Sequence, residues 1–170
     1  KNASFKGATV IGGLFGKNSA SGHVFNACSS STNIVFEGTS GVGGSESATL
    51  YIGGVFGEAI AIRSIQHGLT CSGNITYSGT HNSTAPVYIG GITGNNSAPL
   101  QGTDFPLYLE GTATKLEGEP TATGVIYHDC KVSYLGDINF TSTSTAPVYI
   151  GGWAGFSTTS VQNGQMFVNM

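Results

Sequence analysis

Ile11-Gly12-Gly13-Leu14-Phe15-Gly16 is said four times by this chain. It returns as Tyr51-Ile52-Gly53-Gly54-Val55-Phe56-Gly57, as Tyr88-Ile89-Gly90-Gly91-Ile92-Thr93-Gly94 and as Tyr149-Ile150-Gly151-Gly152-Trp153-Ala154-Gly155. Each phrase is an apolar strand residue, a glycine pair, two mostly apolar positions and a third glycine. The first glycines stand at 12, 53, 90 and 151, so the periods are 41, 37 and 61 residues. A repeat on this scale is the signature of a stacked architecture, because one unit of short strands cannot bury an apolar face alone.

The repeat extends beyond the phrase. Downstream of the first three phrases comes a stretch ending in cysteine: His23 to Cys28, Gln66 to Cys71 and Val125 to Cys130. A strand beginning at asparagine follows, from Asn33, Asn74 and Asn139, and a Ser/Thr/Gly lead-in then runs into the next phrase. Short alternating stretches bounded by Gly and Asn read as strands. The long third period implies an insertion at about 99–123, with a hairpin through Leu107-Tyr108-Leu109 and the acid cluster Glu110, Glu117 and Glu119. Residues 58–65 form the single window with helical character, enough for one short turn.

These features predict one all-β domain over 1–170: a β-solenoid of about four rungs with one inserted loop or hairpin. A β-sandwich of similar strand count is the alternative. Rungs should lie about 4.8 Å apart, with Ile11, Ile52, Ile89 and Ile150 in an inward column and the last three nearly fully buried. The pairs Gly12-Gly13, Gly53-Gly54, Gly90-Gly91 and Gly151-Gly152 should turn corners where a Cβ would clash or φ must be positive.

Composition agrees. Only 9% of the residues are charged, while 27 are glycine; ordinary domains carry about 25% charge and roughly half that share of glycine. The net charge of −3 with six scattered basic residues leaves no electrostatic footprint for nucleic acid or anionic lipid. No apolar run approaches the roughly 20 residues of a membrane span. Lys1 opens no signal-peptide pattern, so an export signal would lie outside this segment.

The serial Gly-Gly-x-x-Gly phrases, each after a strand and followed by a cysteine and an Asn-initiated strand, resemble the GLUG-motif repeats of bacterial surface and secreted proteins, including those of Bacteroidota. The resemblance covers the chain apart from the insertion, with Thr93-Gly94 and Trp153-Ala154 departing from the family's paired aliphatics. It implies a β-solenoid surface scaffold, stalk or adhesin with no shared catalytic site.

Chemistry-bearing groups are sparse. Gly12 to Asn18 fails as a phosphate loop, with Ile11 where the first glycine belongs and Asn18 where a magnesium-binding hydroxyl belongs. His23/Cys28, His67/Cys71 and His128/Cys130 have unequal spacings, unlike zinc pairs; the cysteines read better as a small inward column, although stacked cysteines lie within disulfide range. Glu110, Glu117 and Glu119 read as a solvated loop, and no metal, cofactor or catalytic set is expected. Asn2, Asn74, Asn82, Asn95 and Asn139 head Asn-x-Ser/Thr sequons. Asn2, Asn74 and Asn139 are taken as one repeat position, either capping a turn through their own backbone or carrying a row of N-glycans.

The expected function is an extracellular, cell-surface structural or adhesive module without catalysis. The alternative is a glycan-binding or polysaccharide-cleaving β-helix. The ends suggest a self-partner. Phe167 would precede Asn2 of a following copy by five residues, as Cys28 precedes Asn33, and Gly7 follows Asn2 by five, as Gly38 follows Asn33. Val161–Met170 would then run into Lys1–Gly7 with a period of 31, placing Phe5 and Phe167 at a head-to-tail contact in a tandem array or a filament.

Overall fold

The computed structural model describes residues 4–6, 9–19, 24–26, 28–42, 48–60, 65–67, 69–97, 100–101, 105–108, 125–128, 133–142, 144–158 and 161–162. They form a parallel β-solenoid. The first rung runs through β1 (Ser4–Lys6), β2 (Thr9–Gly12), β3 (Phe15–Asn18), β4 (Val24–Asn26), β5 (Ser29–Ser30) and β6 (Ile34–Phe36). The second repeats that course in β7 (Thr39–Val42), β8 (Leu50–Gly53), β9 (Phe56–Ala59), β10 (Ile65–His67), β11 (Thr70–Cys71) and β12 (Ile75–Tyr77). The third uses β13 (Thr80–His81), β14 (Val87–Gly90), β15 (Thr93–Asn96) and β16 (Leu100–Gln101). It leaves the stack for β17 (Phe105–Tyr108) and β18 (Val125–His128), then returns through β19 (Ser133–Tyr134) and β20 (Ile138–Phe140). The fourth contains β21 (Val148–Gly151), β22 (Ala154–Ser157) and β23 (Val161–Gln162).

Equivalent strands stack into columns. The phrase strands give the column β2-β8-β14-β21, and the strands after the glycine corner give β3-β9-β15-β22. Pairing is parallel and in register: Ile11 opposes Ile52, Ile52 opposes Ile89, and Ile89 opposes Ile150. Parallel neighbours one rung apart exclude the sandwich. No helix occurs among the described residues, and the expected helical turn is extended where described: Glu58 and Ala59 belong to β9.

Alternation sorts the side chains. Leu50, Ile52, Val87 and Ile89 of the phrase column pack against Ile34, Phe36, Ile75 and Tyr77 of the column β6-β12-β20. A second core gathers Val55, Phe56, Ala59, Leu69, Cys71 and Ile92, flanked by Cys28, Tyr134 and Trp153. Both cores are densest in the middle rungs, because each rung is the lid of the next. Ile52 and Ile89 are 0% exposed, but Ile150 is 49% exposed. The expectation of a buried Ile150 therefore fails: it lies on the last described strand of its column.

The glycines are explained by close approach. A Cβ on Gly13, Gly54 or Gly91 would run into the carbonyl oxygen of Gly54, Gly91 or Gly152 on the following rung. A Cβ on Gly12, Gly53 or Gly90 would strike the carbonyl of Phe15, Phe56 or Thr93 across its own corner. The third glycine backs onto the preceding rung: a Cβ on Gly94 would sit 2.6 Å from the Ile52 amide nitrogen and one on Gly155 2.6 Å from that of Ile89. Among the described residues only Gly41 has a positive φ, at 68°. The pairs thus follow the steric alternative and not the left-handed one, with Gly152 apart: a Cβ there would meet nothing within 4 Å among the described residues.

The insertion boundaries also shift. Leu100–Gln101 still belongs to the solenoid, in the column β4-β10-β16-β23. The interruption lies between Gln101 and Ser133. Its hairpin pairs β17 with β18 antiparallel, Phe105 opposite His128 and Tyr108 opposite Val125. Val125–His128 therefore belongs to the insertion and not to a third cysteine stretch, while Leu107 and Tyr108 fall in a hairpin as expected. Glu110, Glu117 and Glu119 lie outside the described residues.

Candidate functional site

The cysteines do not form a column. Register places Cys71 opposite Ser30 on one side and Tyr134 on the other. Cys28 falls outside β5, where its carbonyl accepts from the Thr70 amide at 2.9 Å. Cys71 is a free thiol, and burial pushes it up, away from the reactive thiolate. His67 lies opposite Asn26 and His128 sits in the hairpin, so the three His/Cys pairs are not equivalent. His23 and Cys130 are outside the described residues. Among the described residues no three His, Cys, Asp or Glu side chains gather as a metal site would require.

The asparagine position is a ladder between rungs. Asn33 Oδ1 accepts from the Asn74 amide at 2.8 Å, and Asn74 Oδ1 accepts from the Asp137 amide at 3.0 Å. The bond seen at Asn74 is not the expected one to its own backbone: the amide it caps belongs to the next rung. Asp137, not Asn139, is the third member. Asn139 opposes Thr76, two residues along. Asn74, Asn82 and Asn139 are exposed, whereas the Asn95 amide donates to Glu58 Oε1 at 3.2 Å. Asn2 lies outside the described residues.

Two further constellations went unseen in the sequence. Ser40 Oγ and His81 Nδ1 are 2.7 Å apart, and His81 Nε2 lies 2.8 Å from the Ala85 carbonyl. The carbonyl can only accept, so Nε2 carries the proton and Ser40 donates to Nδ1. A serine donating to histidine is the arrangement that activates a nucleophile, but Ser40 is 0% and His81 3% exposed. The pair instead satisfies polar groups beneath the Ser/Thr lead-in, where the buried Tyr77 hydroxyl lies beside Ser40 and Ser142. The second constellation is on the outer side of the corner strands: Lys17 Nζ pairs with Glu58 Oε2 at 3.0 Å. Register alone could have found both, since Thr39-Ser40 aligns with Thr80-His81 and Lys17 with Glu58.

Aromatic columns run along two faces. Inside, Phe36, Tyr77 and Phe140 stack at 4.9 and 5.1 Å. Outside, Tyr51, Tyr88 and Tyr149 stack at 5.5 and 5.0 Å, tilted by no more than 15°. Burial and the nearby Glu58 carboxylate push the Tyr51 phenol up, and burial does the same for Tyr88. Stacked rings cover one another's faces, so this column is a poor platform for sugar rings, which need an open aromatic face. Tyr149, at the end of the column, is exposed.

Besides Val35 and Leu135, the exposed large hydrophobics among the described residues lie at the ends of the stack. Leu14 and Phe15 are exposed at the first-rung end, and Tyr149, Ile150 and Phe156 on the fourth rung. The equivalents of Leu14 and Ile150 in the middle rungs are fully buried. Contrary to the expected match of the chain's start with the Asn-initiated strands, Ser4 opposes Thr39, so Ser4–Lys6 joins the column β1-β7-β13. The equivalence of 2–7 with 33–38 fails there. Phe5 is on β1, and Phe167 lies outside the described residues.

No helix among the described residues is long and apolar enough to cross a membrane. No protein-family model, curated protein or solved structure matches the chain.

Proposed function

We propose that this chain is an extracellular structural or adhesive β-solenoid module, a unit of a head-to-tail fibre or surface stalk, and that it works as a scaffold and not as an enzyme. The observation that carries the reading is the unbroken, in-register stacking of the phrase column through four rungs, Ile11 to Ile150. Such a stack makes a stiff element whose length grows with each added rung. Its low charge and its Ser-, Thr- and Asn-rich composition suit a surface scaffold, and the GLUG-like phrases point the same way. The serine–histidine pair, which an enzyme would hold open to substrate, is closed.

Electron microscopy of the purified chain, with sedimentation velocity over a wide concentration range, tests the reading. Rods that lengthen with concentration support it. Dispersed globular monomers at every concentration refute the fibre. Protease shaving of intact source cells tests the surface location, which requires that the protein be removed without lysis.

A further inference from the structure

Among the described residues, two glycines of the repeat meet no neighbour that requires them. A Cβ on Gly13, Gly54 or Gly91 would collide with the next rung, yet one on Gly152 would meet nothing within 4 Å. At the other end, a Cβ on Gly57, Gly94 or Gly155 would lie 2.6–2.8 Å from backbone of the preceding rung, whereas one on Gly16 meets only the Val10 oxygen at 3.8 Å. By its equivalents Gly152 has the shape to lie under a following rung, and Gly16 the shape to lie over a preceding one. The two gaps have complementary shapes, because one rung-to-rung contact fills both.

The corner hydrogen bonds have a single direction. Gly13, Gly54 and Gly91 amides donate to the Gly53, Gly90 and Gly151 carbonyls of the next rung. Leu14 and Phe15 amides both donate to Val55, Val55 and Phe56 to Ile92, and Ile92 and Thr93 to Trp153. Continued once more, the Gly152 amide needs a carbonyl equivalent to Gly12, and the Trp153 and Ala154 amides need one equivalent to Leu14. The first rung holds those carbonyls on the side that faces a preceding rung in its equivalents. Two fourth-rung ends would set donors against donors and two first-rung ends acceptors against acceptors, so only head-to-tail contact matches.

We infer that the fourth-rung corner of one copy stacks under the first-rung corner of a second copy, continuing the phrase register, with Gly152 beneath Gly13 and Gly16 over Ile150 and Gly155. The side chains fit that register. The exposed Ile150 continues the Ile11 column, Tyr149 meets the smaller Val10, and Ala154 lies against the exposed Phe15. Phe156 falls in the column of Lys17, where its ring can take the ammonium. The occupant is a second copy because these end surfaces answer one another residue by residue. This joint rests on the head-to-tail reading and specifies where it happens.

Sedimentation velocity on the full chain and on two variants, Gly16→Val and Gly152→Val, tests it. Each variant blocks one end while leaving the monomer's own contacts intact, so melting curves should match wild type; if valine disturbs a rung, the alanine variants replace it. Wild type should form concentration-dependent oligomers and each variant alone should remain monomeric. An equimolar mixture should form one-to-one dimers and nothing longer, since only one good pair of ends survives. Variants that assemble like wild type, or a mixture that stays monomeric, overturn the joint while leaving some other self-association standing. A wild-type chain that never assembles overturns both.

Discussion

Ile89 and Ile150 occupy the same column one rung apart, so truncating each to alanine measures what stacking contributes. Ile89 is 0% exposed, between Ile52 and Ile150, while Ile150 is 49% exposed. Isoleucine to alanine removes three carbons, about 2.4 kcal/mol of transfer free energy at about 0.8 kcal/mol per buried carbon. At Ile89 a cavity of about 60 Å³ would add roughly 1.5 kcal/mol, for a total near 4 kcal/mol. At Ile150 about half the surface is already wet and no closed cavity forms, so roughly 1.2 kcal/mol is expected. Urea unfolding at concentrations where the chain is monomeric gives both values. Far-UV circular dichroism follows the whole stack, and the single tryptophan, Trp153, reports the fourth rung. Equal losses at the two positions, or a loss below about 1 kcal/mol at Ile89, would refute the graded burial.

Gly54→Ala should destabilise the fold strongly, because the new methyl would run into the Gly91 carbonyl and lie 2.5 Å from Cys71 Sγ; thermal unfolding compares it with wild type. His81→Phe leaves the Ser40 hydroxyl and Ala85 carbonyl buried without their partner, a loss of about 1–3 kcal/mol for each group, whereas Val35→Ala on the exposed face should change stability by no more than about 0.5 kcal/mol. Tyr134, pushed up to about 12 first by burial and then by neighbouring Cys71 and Asp137, holds its proton more tightly folded than unfolded. Its contribution is therefore complete below the unfolded value of about 10 and is lost as pH rises toward 12. Melting temperature should fall over that window, and Tyr134→Phe should flatten the fall.

The fold was legible because its determinants are local and repeated. The spacing of Gly12, Gly53, Gly90 and Gly151 alone identifies four rungs, and the in-register pairing of those glycines bears that out. What the sequence hid is register between phrases. Linkers of unequal length let Cys28, Cys71 and Cys130 look equivalent when Ser30 and Tyr134 are the true neighbours of Cys71. The same slippage made Asn139 pass for Asp137, whose backbone amide does the bonding and so needs no asparagine. The hairpin misled for a different reason: Val125–His128 has strand character, but strand character does not say which strand it pairs with. Burial at the ends was invisible because it depends on whether another rung follows, as the contrast between Ile89 and Ile150 shows. The Ser40–His81 contact spans 41 residues and emerges only after the rungs are aligned.

The central claim is that the glycine phrases are parallel neighbours in one register, and nuclear Overhauser contacts between backbone protons test it most directly. The account predicts contacts joining Tyr51-Ile52-Gly53 to Tyr88-Ile89-Gly90, and these to Tyr149-Ile150-Gly151, in the same chain direction and with no offset. Contacts in reversed order, contacts displaced by a residue, or none between successive phrases would contradict it.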